Sequence, residues 1–287
     1  MRNQVRAALM VNPVTRDWKT NLTQVVQMIH EAAGNGSNLA LLGEMAVTGM
    51  VNNDDPLHDL PLGETIPGPV TDRLSVTASR LGIWLGFGLL ERDGGFLYDT
   101  ALLLSPSGDV ILKYRRVHPQ WHGKNADPAI YRQGTELQKA ETDLGSVVFL
   151  ICGDLYDKAL IRQARDMHPD WVFHPHGRSF ADHSRDQDKW EREELPDYQR
   201  LVRTIGAPVL ATSYLCVDSF SEEADTYGGA MVFDRDGRLV TAHPLDRIGI
   251  LYFNPENTLW QFAEPPHAAD TLPRAANGMH GFSEMVR

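Results

Sequence analysis

The chain has 287 residues, of which 42% are hydrophobic, and this is enough apolar material for one large domain or two modest ones. Its 38 acidic side chains outnumber the 27 basic ones, so a formal net charge of −11 argues against nucleic acid as a partner. Only two cysteines occur, which argues against a disulfide framework and favours a cytoplasmic location. No charged segment followed by a long apolar run opens the sequence, so we expect neither export nor membrane association.

Strand-like and helix-like segments alternate over the first ninety residues. Apolar runs predict strands over 5–11, 39–43 and 83–90. Between them, apolar residues at helical spacing predict helices over 18–33 and 70–80. This alternation predicts an α/β fold.

Two hairpins are expected further along the chain. Two apolar runs flank a short glycine-containing turn over 101–112, and the same layout returns over 230–240. After residue 264 the sequence has no apolar periodicity. We therefore expect one domain over residues 1–264 and a C-terminal tail over 265–287 that is extended or disordered.

Cys152 is the most informative single residue. It follows the apolar run 147–151 and is followed by glycine and aspartate, which is typical of a buried strand that ends at the edge of a sheet. Such edges are where α/β proteins usually present reactive groups. The alternative is an inert core thiol, because free cysteine is also among the most buried residue types.

Two charged residues also follow apolar runs directly. Glu44 comes after the run 39–43, and Lys113 comes after Val110-Ile111-Leu112. Each on its own is explained equally well as the first solvated residue after a strand. Together with Cys152 they form a consistent catalytic set, because a cation lowers a thiol pKa and a carboxylate accepts the thiol proton.

The three segments together resemble the nitrilase superfamily of carbon-nitrogen hydrolases. Residues 43–50 are similar to the family's glutamate motif, 113–118 to its Lys-Tyr-Arg-Lys-x-His motif, and 150–154 to its cysteine motif. Their order and spacing agree with the family over residues 5–255. Three ordered motifs are specific, whereas any one alone would be weak.

This resemblance implies a four-layer α-β-β-α sandwich that commonly assembles as a homodimer or larger homo-oligomer. It implies that Glu44 is the general base, that Lys113 stabilises the thiolate and the tetrahedral intermediate, and that Cys152 is the nucleophile. The backbone N–H of Gly153 would help to bind the oxyanion. The implied reaction is hydrolysis of a small amide or N-carbamoyl compound, less favourably a nitrile, with water as the second substrate and no cofactor or metal.

The sequence departs from the family pattern at several positions. Many members carry Tyr or Trp where this chain has Gly153, and Asp127 occupies the place of a second glutamate. Asp127 is either a supporting acid close to Lys113 or an ordinary acidic loop residue. Asparagine is frequent in the family where this chain has Ser213. These departures favour an atypical branch and leave open a catalytically silent binding protein.

Histidines and aromatic residues supply the remaining candidates. In the family interpretation His176 and Arg178 lie on the pocket wall, where they would bind a polar or anionic end of the substrate. Trp121, His122 and Tyr131 would form the opposite wall, or simply pack within their loop. A further alternative is a metal hydrolase that uses His174, His176 and His183, with Asp182 and Asp186 nearby.

Overall fold

Two six-stranded β-sheets pack face to face, and helices cover their outer surfaces, in a computed structural model that describes residues 4–218 and 225–256. This is the four-layer α-β-β-α sandwich that the sequence predicts, and the fold class is confirmed. The predicted domain end at residue 264 and the predicted tail over 265–287 lie outside the described residues.

The strands are β1 (Ala7–Val11), β2 (Pro13–Val14), β3 (Leu39–Leu41), β4 (Trp84–Asp93), β5 (Phe96–Leu104), β6 (Val110–Arg115), β7 (Lys139–Thr142), β8 (Gly145–Phe149), β9 (Trp171–Pro175), β10 (Val209–Thr212), β11 (Leu215–Cys216), β12 (Ala230–Phe233), β13 (Leu239–His243) and β14 (Gly249–Phe253). The helices are α1 (Trp18–Gly34), α2 (Pro56–Asp59), α3 (Pro69–Leu81), α4 (Lys158–Asp166), α5 (Gln187–Glu193) and α6 (Leu195–Ile205), and a short 3₁₀ helix spans Cys152–Tyr156.

The first sheet has the strand order β14-β1-β3-β4-β5-β6, and the second has the order β13-β12-β10-β9-β8-β7. In each sheet three central strands run parallel, and antiparallel strands continue the sheet on both sides. Both predicted hairpins form, as the antiparallel pairs β5–β6 and β12–β13. The ends of β3 and β6 therefore belong to the first sheet, and the end of β8 belongs to the second sheet of the same sandwich.

Helices α1 and α3 lie on the outer face of the first sheet. Val25 and Ile29 of α1 and Leu74 of α3 pack against Leu85 and Leu102 of the sheet. The apolar spacing that predicted both helices is the spacing that puts these side chains on one helical face. Helices α4 and α6 cover the second sheet in the same way.

The core between the two sheets is continuous. It is built from inward-facing residues of both sheets, including Leu41 of β3, Leu103 of β5, Tyr114 of β6 and Phe149 of β8. Gly86 of β4 leaves room for the side chain of Leu41, because a Cβ there would lie 2.6 Å from Cδ2 of Leu41. Among the described residues, no helix is long and apolar enough to cross a membrane.

Candidate active site

Glu44 lies three residues beyond the end of β3 and is fully buried. Two glycines let the backbone around it pack closely. A Cβ on Gly43 would lie 2.9 Å from the backbone of Ser213, and one on Gly88 would lie 2.7 Å from the Cα of Glu44. The backbone around Glu44 is therefore packed on both sides, and its side chain does not extend into solvent.

Cys152 begins the 3₁₀ helix with a φ of 41°, in the left-handed region that non-glycine residues seldom adopt. The buried carboxylate of Asp154 holds this turn. It accepts hydrogen bonds from the Ile151 N–H at 2.9 Å, the His118 N–H at 2.8 Å and the Tyr114 hydroxyl at 2.7 Å. A strained backbone that is held by several bonds is typical of functional sites.

Gly177, two residues beyond the end of β9, links the thiol to Glu44. Its backbone N–H donates a hydrogen bond to the sulfur of Cys152, and a Cβ on Gly177 would lie 3.2 Å from Oε2 of Glu44. That oxygen has no hydrogen-bond partner among the described residues. The free carboxylate oxygen and the thiol therefore lie beside the same glycine.

Burial raises the pKa of the Cys152 thiol to about 12, and the negative charge of Glu44 adds to this effect. The positive charges of Arg116 and Arg178 and the Gly177 N–H act in the opposite direction. In the absence of substrate the thiol is therefore protonated at neutral pH. A base that removes the proton is needed for nucleophilic attack.

Arg116 is the cation of this site. Its Nη1 donates to Oε1 of Glu44 at 2.8 Å, its Nε donates to the backbone carbonyl of His118 at 3.1 Å, and the side chain is 3% exposed. Burial disfavours its charge, but the negative charge of Glu44 and that of Cys152 when it is ionised outweigh this and raise the pKa of Arg116. The guanidinium is therefore a permanent positive charge beside the thiol.

Lys113 lies elsewhere, and the prediction that it joins Glu44 and Cys152 is wrong. Its Nζ forms an ion pair with Oε1 of Glu91 at 2.9 Å, and its side chain is 40% exposed. Arg115 pairs with the same carboxylate at 2.6 Å. These two side chains leave β6 on the face opposite to Tyr114, which points into the core between the sheets.

Strand periodicity in the sequence would have favoured Arg116 over Lys113 as the inward-facing cation, without giving its partners. Successive side chains of a strand alternate between its two faces, so the apolar residues Leu112 and Tyr114 define the inner face and residue 116 follows on that face. Lys113 and Arg115 occupy the alternate positions. Lys113 is the first cation of the lysine motif, but the alternation assigns it to the outer face of β6.

Asp127, the predicted supporting acid, lies at the surface of its loop. It is exposed, and its carboxylate accepts a hydrogen bond from the Ala129 N–H within its own turn. The second carboxyl group of the site is Asp99 of β5, which is 1% exposed and lies 3.3 Å from Nη1 of Arg116. It shares the inner face of β5 with Ala101 and Leu103, and a carboxyl at that position in an apolar strand could have been noticed.

The predicted aromatic wall forms a packed cluster. The ring of Trp121 lies 4.9 Å from that of His122 and 5.8 Å from that of Tyr131, and both Trp121 and Tyr131 are buried. The cluster contacts Met45, the residue after Glu44, and the Tyr131 hydroxyl donates to Asp59. Loop packing accounts for these contacts, and a role in binding substrate stays a prediction.

His176 and Arg178 lie on the Cys152 side of the site. His176 is fully buried, neither of its ring nitrogens has a hydrogen-bond partner among the described residues, and burial lowers its pKa well below the usual value. Arg178 donates to both carboxylate oxygens of Glu194, at 2.8 and 2.7 Å, and its guanidinium lies 4.6 Å from the ring centre of Tyr156. Substrate binding by either residue stays a prediction.

The histidines proposed as zinc ligands do not form a ligand set. His174 and His176 stack with ring centres 5.3 Å apart, and the Nδ1 of His174 donates to the Leu150 carbonyl. His183 lies near Asp225 on a half-exposed surface. Within residues 4–218 and 225–256, no three His, Cys, Asp or Glu side chains are arranged to hold a metal ion.

Comparison with known proteins agrees with this architecture. The family model described as carbon-nitrogen hydrolase matches residues 6–254, which is most of the chain. The chain belongs to the carbon-nitrogen hydrolase family. The predicted membership of the nitrilase superfamily is confirmed.

This carbon-nitrogen hydrolase is similar to several curated proteins. It is 28% identical over 234 residues to a nitrilase 3 from an unknown prokaryotic organism, covering 74% of this chain and 66% of the relative. It is 34% identical over 110 residues to an omega-amidase from Xenopus tropicalis, covering 38% and 37%. The matched region therefore spans less than two thirds of these relatives' own length.

Solved structures share the fold. A carbon-nitrogen hydrolase from Helicobacter pylori superimposes with a TM-score of 0.75 at 17% identity, covering 87% of this chain and 88% of that one. An amidase from Nesterenkonia sp. gives a TM-score of 0.72 at 18% identity, covering 88% and 91%. At these identities the likeness establishes the sandwich fold and leaves the substrate open.

Proposed function

We propose that this protein hydrolyses a non-peptide carbon-nitrogen bond in a small amide or N-carbamoyl compound, with Cys152 as nucleophile, Glu44 as base and Arg116 as electrostatic stabiliser. One observation carries the proposal. The free oxygen of Glu44 and the sulfur of Cys152 both lie beside Gly177, while Arg116 holds the other oxygen of Glu44. Nucleophile, base and cation are thus brought together from three separate strand ends.

In the first half-reaction Glu44 removes the proton of the thiol as the sulfur attacks the carbonyl carbon. The carbonyl π electrons move to oxygen and form a tetrahedral oxyanion, which the Gly153 N–H and the charge of Arg116 would stabilise. When the oxyanion collapses, the carbon-nitrogen bond breaks and Glu44 returns its proton to the leaving nitrogen. Ammonia or an amine departs, and a thioester on Cys152 remains.

In the second half-reaction water replaces the amine. Glu44 takes a proton from water, the hydroxide oxygen attacks the thioester carbon, and the carbon-sulfur bond breaks in the collapse of the second oxyanion. The sulfur recovers a proton from Glu44, and the carboxylic or carbamic acid leaves. Water is the only co-substrate that this scheme requires.

The electrostatics of the site favour a base-assisted attack over a preformed thiolate. With a thiol pKa of about 12 a free thiolate is rare at neutral pH, so transfer to Glu44 accompanies carbon-sulfur bond formation. Arg116 has a fixed positive charge in a water-poor site, where stabilisation of developing negative charge is strong. The arginine thus fills the role that the family resemblance assigned to lysine.

The relatives support this class of reaction. Similar proteins include omega-amidases, nitrilases and a formamidase from Bacillus cereus. A Nesterenkonia amidase, with a TM-score of 0.72 at 18% identity, was solved after acrylamide had added to its active-site cysteine. Amides and N-carbamoyl compounds are the first substrates to test, and nitriles come second.

The experiment supplies the full chain with panels of amides, N-carbamoyl compounds and nitriles. Ammonia release is followed, and intact mass reports acyl adducts. Cys152→Ala should abolish both release and adducts, whereas Cys216→Ala, which removes the only other cysteine, should keep them. Release that persists in Cys152→Ala would contradict the proposal.

A catalytically silent binding protein is the second candidate, and the ion pair between Arg116 and Glu44 favours it. The guanidinium, at 2.8 Å, occupies one of the two Glu44 oxygens that could accept a proton. If the protein is such a binding protein, the unsubstituted chain should bind a small ligand from the panel saturably, without ammonia release or acyl adducts. The same panel therefore separates the two candidates.

A further inference from the structure

Asp99 is a second buried carboxyl group beside Arg116, and the mechanism above does not use it. It extends from β5 towards the core between the sheets, and Nη1 of Arg116 lies 3.3 Å from its Oδ2 and 2.8 Å from Oε1 of Glu44. Both acidic side chains have no exposed surface, and that of Arg116 is 3% exposed. One guanidinium nitrogen is therefore shared between two carboxyl groups that solvent does not reach.

The charge balance of this cluster requires a proton. Two ionised carboxylates beside one guanidinium would leave a net negative charge in a low-dielectric interior, and like charges at this spacing raise the proton affinity of one member. Asp154 is a third carboxyl nearby, and burial raises its pKa, but two backbone N–H groups and the Tyr114 hydroxyl donate to it and favour its ionised form. The extra proton belongs to Glu44 or Asp99.

Hydrogen bonding points to Asp99. The carboxyl groups of Asp99 and Glu44 lie within hydrogen-bonding range of each other, and two ionised carboxylates can only accept. Oδ1 of Asp99 has no other partner among the described residues. Because Arg116 is closer to Glu44 than to Asp99, it stabilises the negative charge on Glu44 and leaves the proton on Asp99.

We propose that Asp99 is a positioning residue that stays protonated and donates a hydrogen bond to Glu44, so that one negative charge remains beside Cys152. This proposal deepens the proposed function, because it concerns Glu44, the base of that reaction. The role of Asp99 in catalysis rests on the proposed function. Burial, Glu44 and Asp154 raise the pKa of Asp99, and of these neighbours only Arg116 lowers it.

The consequence is a base with a fixed orientation and a limited charge. Asp99 and Arg116 both donate to the carboxylate of Glu44, whose Oε2 lies beside Gly177. An ionised Asp99 would add a second negative charge and disfavour negative charge on the sulfur of Cys152. The proton on Asp99 therefore avoids a second negative charge, which would oppose removal of the thiol proton by Glu44.

The test measures the proton directly, without turnover. The full chain is labelled with ¹³C at the aspartate carboxyl carbons, and the resonances are followed over pH in the unsubstituted protein, Asp99→Asn, Glu44→Gln and Asp93→Asn. Asp93 is the matched control, because it is 60% exposed and pairs with Arg115. A protonated and an ionised carboxyl give separate chemical shifts.

We expect one aspartate resonance to keep the shift of a protonated acid at pH 7 in the unsubstituted protein and in Asp93→Asn. It should be lost in Asp99→Asn. In Glu44→Gln it should move to the carboxylate position, because Asp99 then becomes the nearest anionic partner of Arg116. The Glu44→Gln result decides the matter even if Asp99→Asn does not fold.

Two outcomes would overturn the proposal. One is the absence of any protonated aspartate at pH 7 in the unsubstituted protein. The other is a protonated resonance that does not respond to Glu44→Gln. Neither depends on ammonia release, so a failure here is distinguishable from a failure of the proposed hydrolase, which Cys152→Ala tests.

Discussion

A methyl group on Gly153 would lie 2.4 Å from Nη2 of Arg116. The same methyl group would lie 2.8 Å from Nδ1 of His118, so the space beside Cys152 is filled by the guanidinium and by this imidazole. Residue 153 is a glycine where many members of the family carry a large aromatic residue. The arginine at 116 and the glycine at 153 are thus sterically matched.

This match predicts that Gly153→Ala lowers activity. The added methyl group displaces the guanidinium, which Glu44 and the His118 carbonyl otherwise hold, and we expect kcat/KM to fall by at least about tenfold, or about 1.4 kcal/mol in activation free energy. Ammonia release measures the effect. Gly95→Ala is the control, because a Cβ there has no neighbour within 4 Å.

A second substitution tests the steric explanation. Arg116→Lys removes the Nη2 atom, so the double variant Arg116→Lys with Gly153→Ala should lose less activity than the two single losses combined. Strict additivity of the two effects would show that the residues act independently and would contradict the match.

Substitutions of Arg116 and of Lys113 are expected to have very different effects on kcat. Arg116→Gln removes the charge that stabilises the oxyanion, and by analogy with lost oxyanion donors kcat should fall by about 10²–10³-fold. Lys113→Gln removes an ion pair between a partly exposed ammonium and the buried Glu91, which keeps Arg115 and the Thr100 hydroxyl as partners. Its expected cost is less than about 1 kcal/mol of unfolding free energy, with kcat retained. A loss of activity confined to Lys113→Gln would restore the lysine assignment.

The thiol pKa predicts how alkylation of Cys152 depends on pH. In a Cys216→Ser background Cys152 is the only thiol. Because burial raises its pKa to about 12, the rate of reaction with iodoacetamide should keep increasing between pH 7 and pH 10 without reaching a plateau. Intact mass against time gives the rate. A plateau below pH 9 would mean that the free protein already holds a thiolate.

The buried His174 is expected to lower the free energy of unfolding in acid. Burial lowers its pKa to about 4, against 6.5 for an ordinary histidine, so below pH 6.5 the unfolded chain binds a proton that the folded protein does not. Unfolding free energy should therefore fall as the pH drops from 6.5 towards 4, by on the order of 3 kcal/mol from this group. His176, whose pKa is also lowered by burial, contributes in the same direction.

The measurement is urea unfolding at several pH values between 4 and 7. His174→Asn keeps a donor for the Leu150 carbonyl but does not titrate, so its stability should change less over this range than that of the unsubstituted protein. His30→Asn, on an exposed position of α1, should leave the pH dependence as it is. Equal slopes in His174→Asn and the unsubstituted protein would refute the assignment.

Local sequence patterns were sufficient for the α/β class and for two members of the site, and the resemblance to the family supplied the four-layer sandwich. Apolar runs and helical spacing identified α1, α3 and the strands that precede Glu44 and Cys152, because these periodicities are properties of a single segment. The cysteine strand ends at Phe149, a little earlier than the apolar run does, since Leu150 and Ile151 enter the turn held by Asp154. Family membership followed from the order of the motifs.

The sequence by itself determined the sandwich, the family and the strand-end positions of Glu44 and Cys152. Only the tertiary structure decided that Arg116 is the cation, that Asp99 joins it and that Asp127 does not. The physical reason is that a side chain's partners depend on which face of its strand meets the second sheet. On the inner face of the first sheet, contacts join residues as far apart in the chain as Glu44, Asp99 and Arg116, and strand alternation indicates the face without giving these partners.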